Sequence, residues 1–325
     1  MRFRALLAAL LVFASVSSFA RPNLVVNVSL ADRATIADRD VLVDVVFTNA
    51  GTSPVTFVNW FLPDGELDGD MFMLSRDGQP VSYLGPIVKR TAPSAADMIT
   101  LAPGESISRT ADLGSVYDLS ASGVYSIQYG VSSSQLYGGT RAAAMTTGLR
   151  DELSTESTAY SDQLLSNEVL TWMDGRKTAA LEASKARVTV DAVASVGTST
   201  ISYTGRCSAT QQATIASAVA AASTMANGAV SYLSGTPSAT QRYTTWFGTY
   251  SSANWNEVKG HFVNIKDVFD NKPMTVDCSC KKSYYAYVFP NQPYKIFVCR
   301  AFWNAPLTGT DSKGGTLVHE TSHFT

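Results

Sequence analysis

Histidine is scarce in this chain: there are three in 325 residues, and none precedes His261. Cysteine is confined to Cys207, Cys278, Cys280 and Cys299 in the C-terminal part. The first two hundred residues therefore lack the commonest nucleophile–base and soft-metal chemistry. Any role they have must come from binding, inhibition or assistance to folding. Positive charge is not in excess either, with 25 Lys and Arg against 27 Asp and Glu and a formal net charge of −2. No basic stripe interleaved with aromatics exists, which excludes an electrostatic case for nucleic acid. No uninterrupted apolar run reaches the roughly 20 residues that a bilayer span needs. A 45% apolar and 16% charged composition excludes a disordered chain, and 325 residues suffice for two ordinary domains.

Arg2 and Arg4, the apolar run Ala5–Val16 and the small-x-small end Ser18-Phe19-Ala20 have the form of a secretory signal peptide over residues 1–20. The expected product is exported, soluble and free of the membrane once that segment is cleaved, and it matures in an oxidising compartment. Export makes four cysteines read as two disulfides, with a Cys-x-Cys zinc site as the competing reading. Cys278 and Cys280 are too close to bridge each other without strain; the pairing is otherwise open.

From about residue 21 to 130 the chain is punctuated like a β-sandwich. Strands are expected at Leu24–Leu30, Val41–Phe47, Val55–Trp60, Val81–Leu84, Ile107–Leu113 and Val124–Tyr129, with turn signals such as Asp77-Gly78 and Pro103-Gly104 between them. The acidic stretch Asp64–Asp70 does not match an EF-hand loop and reads as a solvated turn. Residues 131–200 read as a linker with some helix, in which Arg176-Lys177 and Lys185-Ala186-Arg187 are candidate processing sites.

From 201 to 325 the pattern becomes α+β. Ser208 and Gln211 form a capping box ahead of Ile215, Val219, Ala222, Ala226, Val230 and Leu233 at helical spacing. A second helix is marked by Trp255, Val258, Phe262, Ile265 and Phe269. Strands are expected at Tyr284–Phe289 and Lys295–Cys299, and a last helix starts near Asp311 or Ser312. That helix carries His319-Glu320-Thr321-Ser322-His323, an H-E-x-x-H motif. At about 3.6 residues per turn, His319 and His323 share one face one turn apart, a spacing that grips Zn²⁺. Glu320 lies about 100° round the helix, placed to act as general base and acid on a water beside the metal without ligating it.

These residues, with Tyr243–Gly248, Cys278-Ser279-Cys280, Ala286–Asn291, Ala301-Phe302-Trp303 and Thr308–Ser312, resemble the deuterolysin-like aspzincins, and within them the peptidyl-lysine metalloendopeptidases. The likeness covers roughly Tyr203 to the end, and residues 21–200 are more weakly similar to the β-rich propeptide of bacterial members. The resemblance implies a zincin-like fold, pairings Cys207–Cys278 and Cys280–Cys299, zinc ligands His319 and His323, and Glu320 as the catalytic residue. It also implies protein or peptide substrates cleaved at lysine, and an intramolecular prodomain. The family's third ligand is an aspartate in a Gly-Thr-x-x-Asp stretch after the second histidine, and no residue of this chain matches it. The expectation is a domain incomplete at its C-terminus and a third zinc ligand outside the chain. Asp267, Asp277 and Asp311 are possible by type alone, with Asp311 expected to cap the last helix and His261 expected to be structural. The alternative is a secreted, catalytically inactive protease-like binding or regulatory protein.

Overall fold

Strict alternation of buried and exposed side chains builds the N-terminal half. Leu24, Val26 and Val28 point inward from β1 (Leu24–Leu30), and Val43, Val45 and Phe47 from β2 (Leu42–Asn49). The computed structural model describes residues 23–31, 40–65, 67–137, 163–176, 189–197 and 199–324. β2 pairs on its other side with β8 (Ser106–Asp112), so β1-β2-β8 is an antiparallel sheet. Facing it, β9 (Gly123–Ser132) is joined by β4 (Phe72–Arg76), β10 (Gln163–Leu165) and β11 (Val169–Met173), with β5 (Gln79–Pro80) beyond β4. β3 (Val55–Val58) and β7 (Met98–Leu101) form a separate antiparallel pair. Phe47 anchors the core between them, its ring 6.1 Å from that of Phe57 and edge-on to Tyr129 at 5.3 Å.

The C-terminal half is a mixed sheet covered by helices. β13 (Ser199–Thr204), β14 (Met274–Asp277) and β16 (Lys295–Val298) run parallel, and β12 (Ala192–Val196) and β15 (Ala286–Val288) are antiparallel on either flank. The crossover between β13 and β14 contains α1 (Ala209–Leu233), α2 (Gln241–Phe247) and α3 (Ser252–Asn271). α4 (Arg300–Asn304) and α5 (Lys313–Ser322) follow β16. The fully buried apolar side chains of the two halves form separate clusters, and Ile87 of the N-terminal half packs against the second. β6 (Ile87–Lys89), contributed by the N-terminal half, pairs antiparallel with β15 and completes the six-strand order β12-β13-β14-β16-β15-β6.

Several expectations are met to the residue. Ser208 caps α1 with both arms of the capping box formed, and the disulfides are Cys207–Cys278 and Cys280–Cys299. Others are corrected. Val81–Leu84 is no strand, because the Val81 N–H bonds to Leu74 and the Leu84 N–H to Val116, two partners on no common ladder. The stretch 131–200, expected as a linker with some helix, carries β10, β11 and β12 paired into the two halves. Arg176, expected at an exposed processing site, is 7% exposed, while Lys177, Lys185–Arg187 and the signal segment 1–20 lie outside the described residues. By length and composition α1 could cross a membrane, although no uninterrupted run suggests it. Its face of Ile215, Ala218, Val219, Ala222 and Ala226 is instead buried in the second core.

The turn from β13 into Cys207 depends on Gly205, whose φ of +74° is open to glycine and whose added Cβ would lie 2.4 Å from Asp277 Oδ1 and 2.6 Å from Ser279 N. Gly205→Ala is expected to cost about 2–4 kcal/mol, read as a lower urea midpoint with unchanged slope.

Candidate metal centre

α5 begins where the Ser312 hydroxyl accepts the Gly315 N–H at 3.0 Å. The cap is therefore Ser312 and not Asp311, which adopts φ +50° and receives the Lys89 ammonium at 3.3 Å. In the first turn, Gly314 lets the helix close on α1: a Cβ there would stand 3.1 Å from Ala221 Cβ and 3.3 Å from Ala222 N. Leu317 is fully buried in the same interface. This seating turns Thr316, Glu320 and Thr321 inward and leaves His319 exposed and His323 half-buried, on a helix that also packs against β15 and β6.

The two imidazole rings lie 5.0 Å apart between centroids, nearly perpendicular at 86°. Glu320 is fully buried, and neither carboxylate oxygen has a hydrogen-bond partner; buried His323 Nε2 has none either. A buried carboxyl without a partner is costly in any protein, and His323 Nε2, three residues on, is in the same condition. Two imidazoles one turn apart on one helix, one with an unpartnered buried nitrogen, are the donor chemistry that zinc takes. The residues present therefore fit the metal.

Among the described residues no group of three His, Cys, Asp or Glu side chains converges on one point. The aspartates considered from the sequence are engaged elsewhere. Asp277 accepts from Thr204 Oγ1 at 2.7 Å and from Ser279 N and Oγ, Asp267 is held by Asn271 and Lys272, and Asp311 faces Lys89. His261 is exposed on α3. The cysteines are all in disulfides, which removes the Cys-x-Cys zinc reading.

The family model described as lysine-specific metallo-endopeptidase matches residues 232–325. An extracellular protease of Aeromonas hydrophila is 42% identical over 285 residues, covering 88% of this chain and 77% of that protein. The chain belongs to the aspzincin family. A peptidyl-Lys metalloendopeptidase of Grifola frondosa is 31% identical over 97% of this chain and 85% of that protein, and one of Pleurotus ostreatus is 49% identical over 37% of this chain and 71% of that protein. A solved zinc peptidase from Grifola frondosa is 43% identical over 36% of this chain and 72% of that chain, with a TM-score of 0.35. This aspzincin is thus a zinc metalloendopeptidase, a hydrolase with two disulfides in its C-terminal half.

The electrostatics of the metal-free centre follow from its packing. Desolvation raises the Glu320 carboxyl from 4.5 to about 8, only slightly opposed by the Lys89 ammonium. Desolvation first, then His323 and Lys89, hold His319 below the ordinary histidine range; its open edge lets water screen part of this. Desolvation also lowers half-buried His323. Both imidazoles are therefore neutral near pH 7, the form a metal requires.

Sequence reasoning passed over Lys89 and Gly314. A Gly85-Pro86 turn ahead of Ile87-Val88 could have marked β6; the close approach at Gly314 has no signal in sequence.

Glu320 keeps its proton up to about pH 8 when folded, whereas the unfolded carboxyl loses it near 4.5. The unfolded state thus binds fewer protons across that window, and metal-free stability falls as pH rises through it. Glu320→Gln is expected to abolish the fall, matching the wild type near pH 4 and exceeding it by about 1–3 kcal/mol at pH 8 in chelator. Urea titrations at both pH values check this, and equal midpoints at pH 8 would contradict it.

Proposed function

We propose that this chain is the secreted precursor of a zinc endopeptidase that cleaves protein or peptide substrates at lysine. In this reading residues 1–20 are the export signal, 21–130 the β-sandwich prodomain, 131–200 a connecting region that lends strands to both halves and is processed outside those strands, and 201–325 the zincin-like catalytic domain. The extracellular protease of Aeromonas hydrophila supports secretion, and the peptidyl-Lys enzymes support the lysine preference. Separate hydrophobic clusters in the two halves support the division.

The observation that carries the catalytic reading is the buried, unpartnered Glu320 on the helix that bears His319 and His323. His319 and His323 would hold the metal, with a further ligand from outside the described residues. When bound, zinc supplies Lewis acidity toward the scissile carbonyl and toward a water at the centre. Glu320 takes a proton from that water as it attacks the carbonyl carbon and delivers it to the leaving amine. Thr316 and Leu317 contribute by excluding water behind Glu320, both being fully buried.

Glu320→Gln is expected to lower kcat/KM on a lysine-containing peptide by about 10²–10⁴-fold with zinc content unchanged in the secreted, processed form. His323→Ala is expected to lose the zinc as well. Metal analysis and hydrolysis assays on the same samples check both, and an active Glu320→Gln enzyme would remove Glu320 from the chemistry.

A further inference from the structure

β15 is the last strand that the C-terminal half supplies to its own sheet, and its outer edge is already taken. Ile87–Lys89 runs along it antiparallel, with Lys89 opposite Ala286, Val88 opposite Tyr287 and Ile87 opposite Val288. The Tyr285 N–H donates to the Lys89 carbonyl at 3.0 Å. The side chain of Lys89 is held as firmly as its backbone: Nζ donates to Asp311 Oδ1 at 3.3 Å and lies 5.3 Å from the centre of the Tyr285 ring. The next residue ties the strand's exit. The Arg90 guanidinium stacks 4.6 Å over Tyr284 and 5.2 Å over Trp60 and donates to the Asp68 carbonyl, while the Tyr284 hydroxyl donates to the Asp68 carboxylate. The acidic stretch expected to be a solvated turn is thus part of a contact between the two halves.

The position of this strand matters because α5 packs against both β6 and β15. An exposed sheet edge takes an extended peptide by continuing the ladder, with main-chain bonds giving affinity and side-chain pockets giving selectivity. A substrate chain brought beside His319 along this sheet would need the edge that β6 covers.

We infer that Ile87–Lys89 is an internal occupant of the substrate groove, a lysine-bearing strand seated on the β15 edge that must leave before a peptide can enter. The inference rests on α5 being the catalytic helix and adds the segment and the anchor by which the N-terminal half closes it. Asp311 and Tyr285 form the corner that holds the Lys89 ammonium. No carboxylate or thiol from the N-terminal half need touch the metal, because the block is the occupied edge.

The test uses the full chain and a fluorescein-labelled ten-residue peptide with one central lysine. Val88→Pro combined with Lys89→Glu breaks the strand and turns its anchor against Asp311. Anisotropy is expected to show at least tenfold tighter peptide binding in the double variant than in the wild type. A peptide with proline at alternate positions, which cannot continue the ladder, should show no such gain. Hydrogen exchange gives a second readout that needs no variant to be active: amides 285–288 are expected to be protected in the wild type and released in the double variant, with β1 and β2 unchanged. Equal peptide binding by the two proteins, retained protection at 285–288 in the variant, or fast exchange there in the wild type would each overturn the inference. None of these readouts requires zinc or hydrolysis, so a failure of the catalytic reading would show separately as a zinc-loaded, processed enzyme without activity.

Discussion

The burial of Glu320 without a donor is the constraint on which the rest of the C-terminal half depends. A carboxylate in that position works against folding, and it is held there by packing alone. α5 is pressed onto α1 at Gly314 and Ala222, Leu317 is sealed into the core, and Ser312 fixes the first turn. Loosening any of these would let Glu320 rotate toward water and the two histidines drift from their common face. The cost is local, of the kind proteins keep at sites where a polar partner arrives with a ligand.

The scaffold behind the helix has the same logic. Parallel strands β13, β14 and β16 need long crossovers, and the crossover between β13 and β14 supplies the helices against which α5 rests. The disulfides stitch the ends of this arrangement. Cys207–Cys278 joins the start of α1 to the end of β14, and Cys280–Cys299 joins the following loop to the end of β16. With sequence separations of 71 and 19 they restrain both a long and a short loop of the unfolded chain.

Much of this was legible in the residues. H-E-x-x-H placed both histidines and the glutamate, Ser208 and Gln211 placed the start of α1, and strict alternation placed β1 and β2. What sequence could not carry was anything decided between distant segments. Val81–Leu84 has the composition of a strand, but its backbone finds two separate partners. Asp311 sits at a helix start and looks like a cap, yet Ser312 caps the helix while Asp311 turns to Lys89, 222 residues earlier. β6 is only three residues long, too short for periodicity to register, and its importance comes wholly from the strand it joins. The stretch after residue 160 has linker composition, but its strands complete sheets on both sides.

The central claim is that α5 grips zinc through His319 and His323 with Glu320 held back from the metal. Zinc K-edge X-ray absorption on the zinc-loaded chain tests it most directly. The account predicts two imidazole nitrogens at about 2.0–2.1 Å, remaining scatterers of oxygen or nitrogen only, and no zinc retained by His323→Ala. Sulfur in the first shell, or zinc retained by that variant, would contradict it.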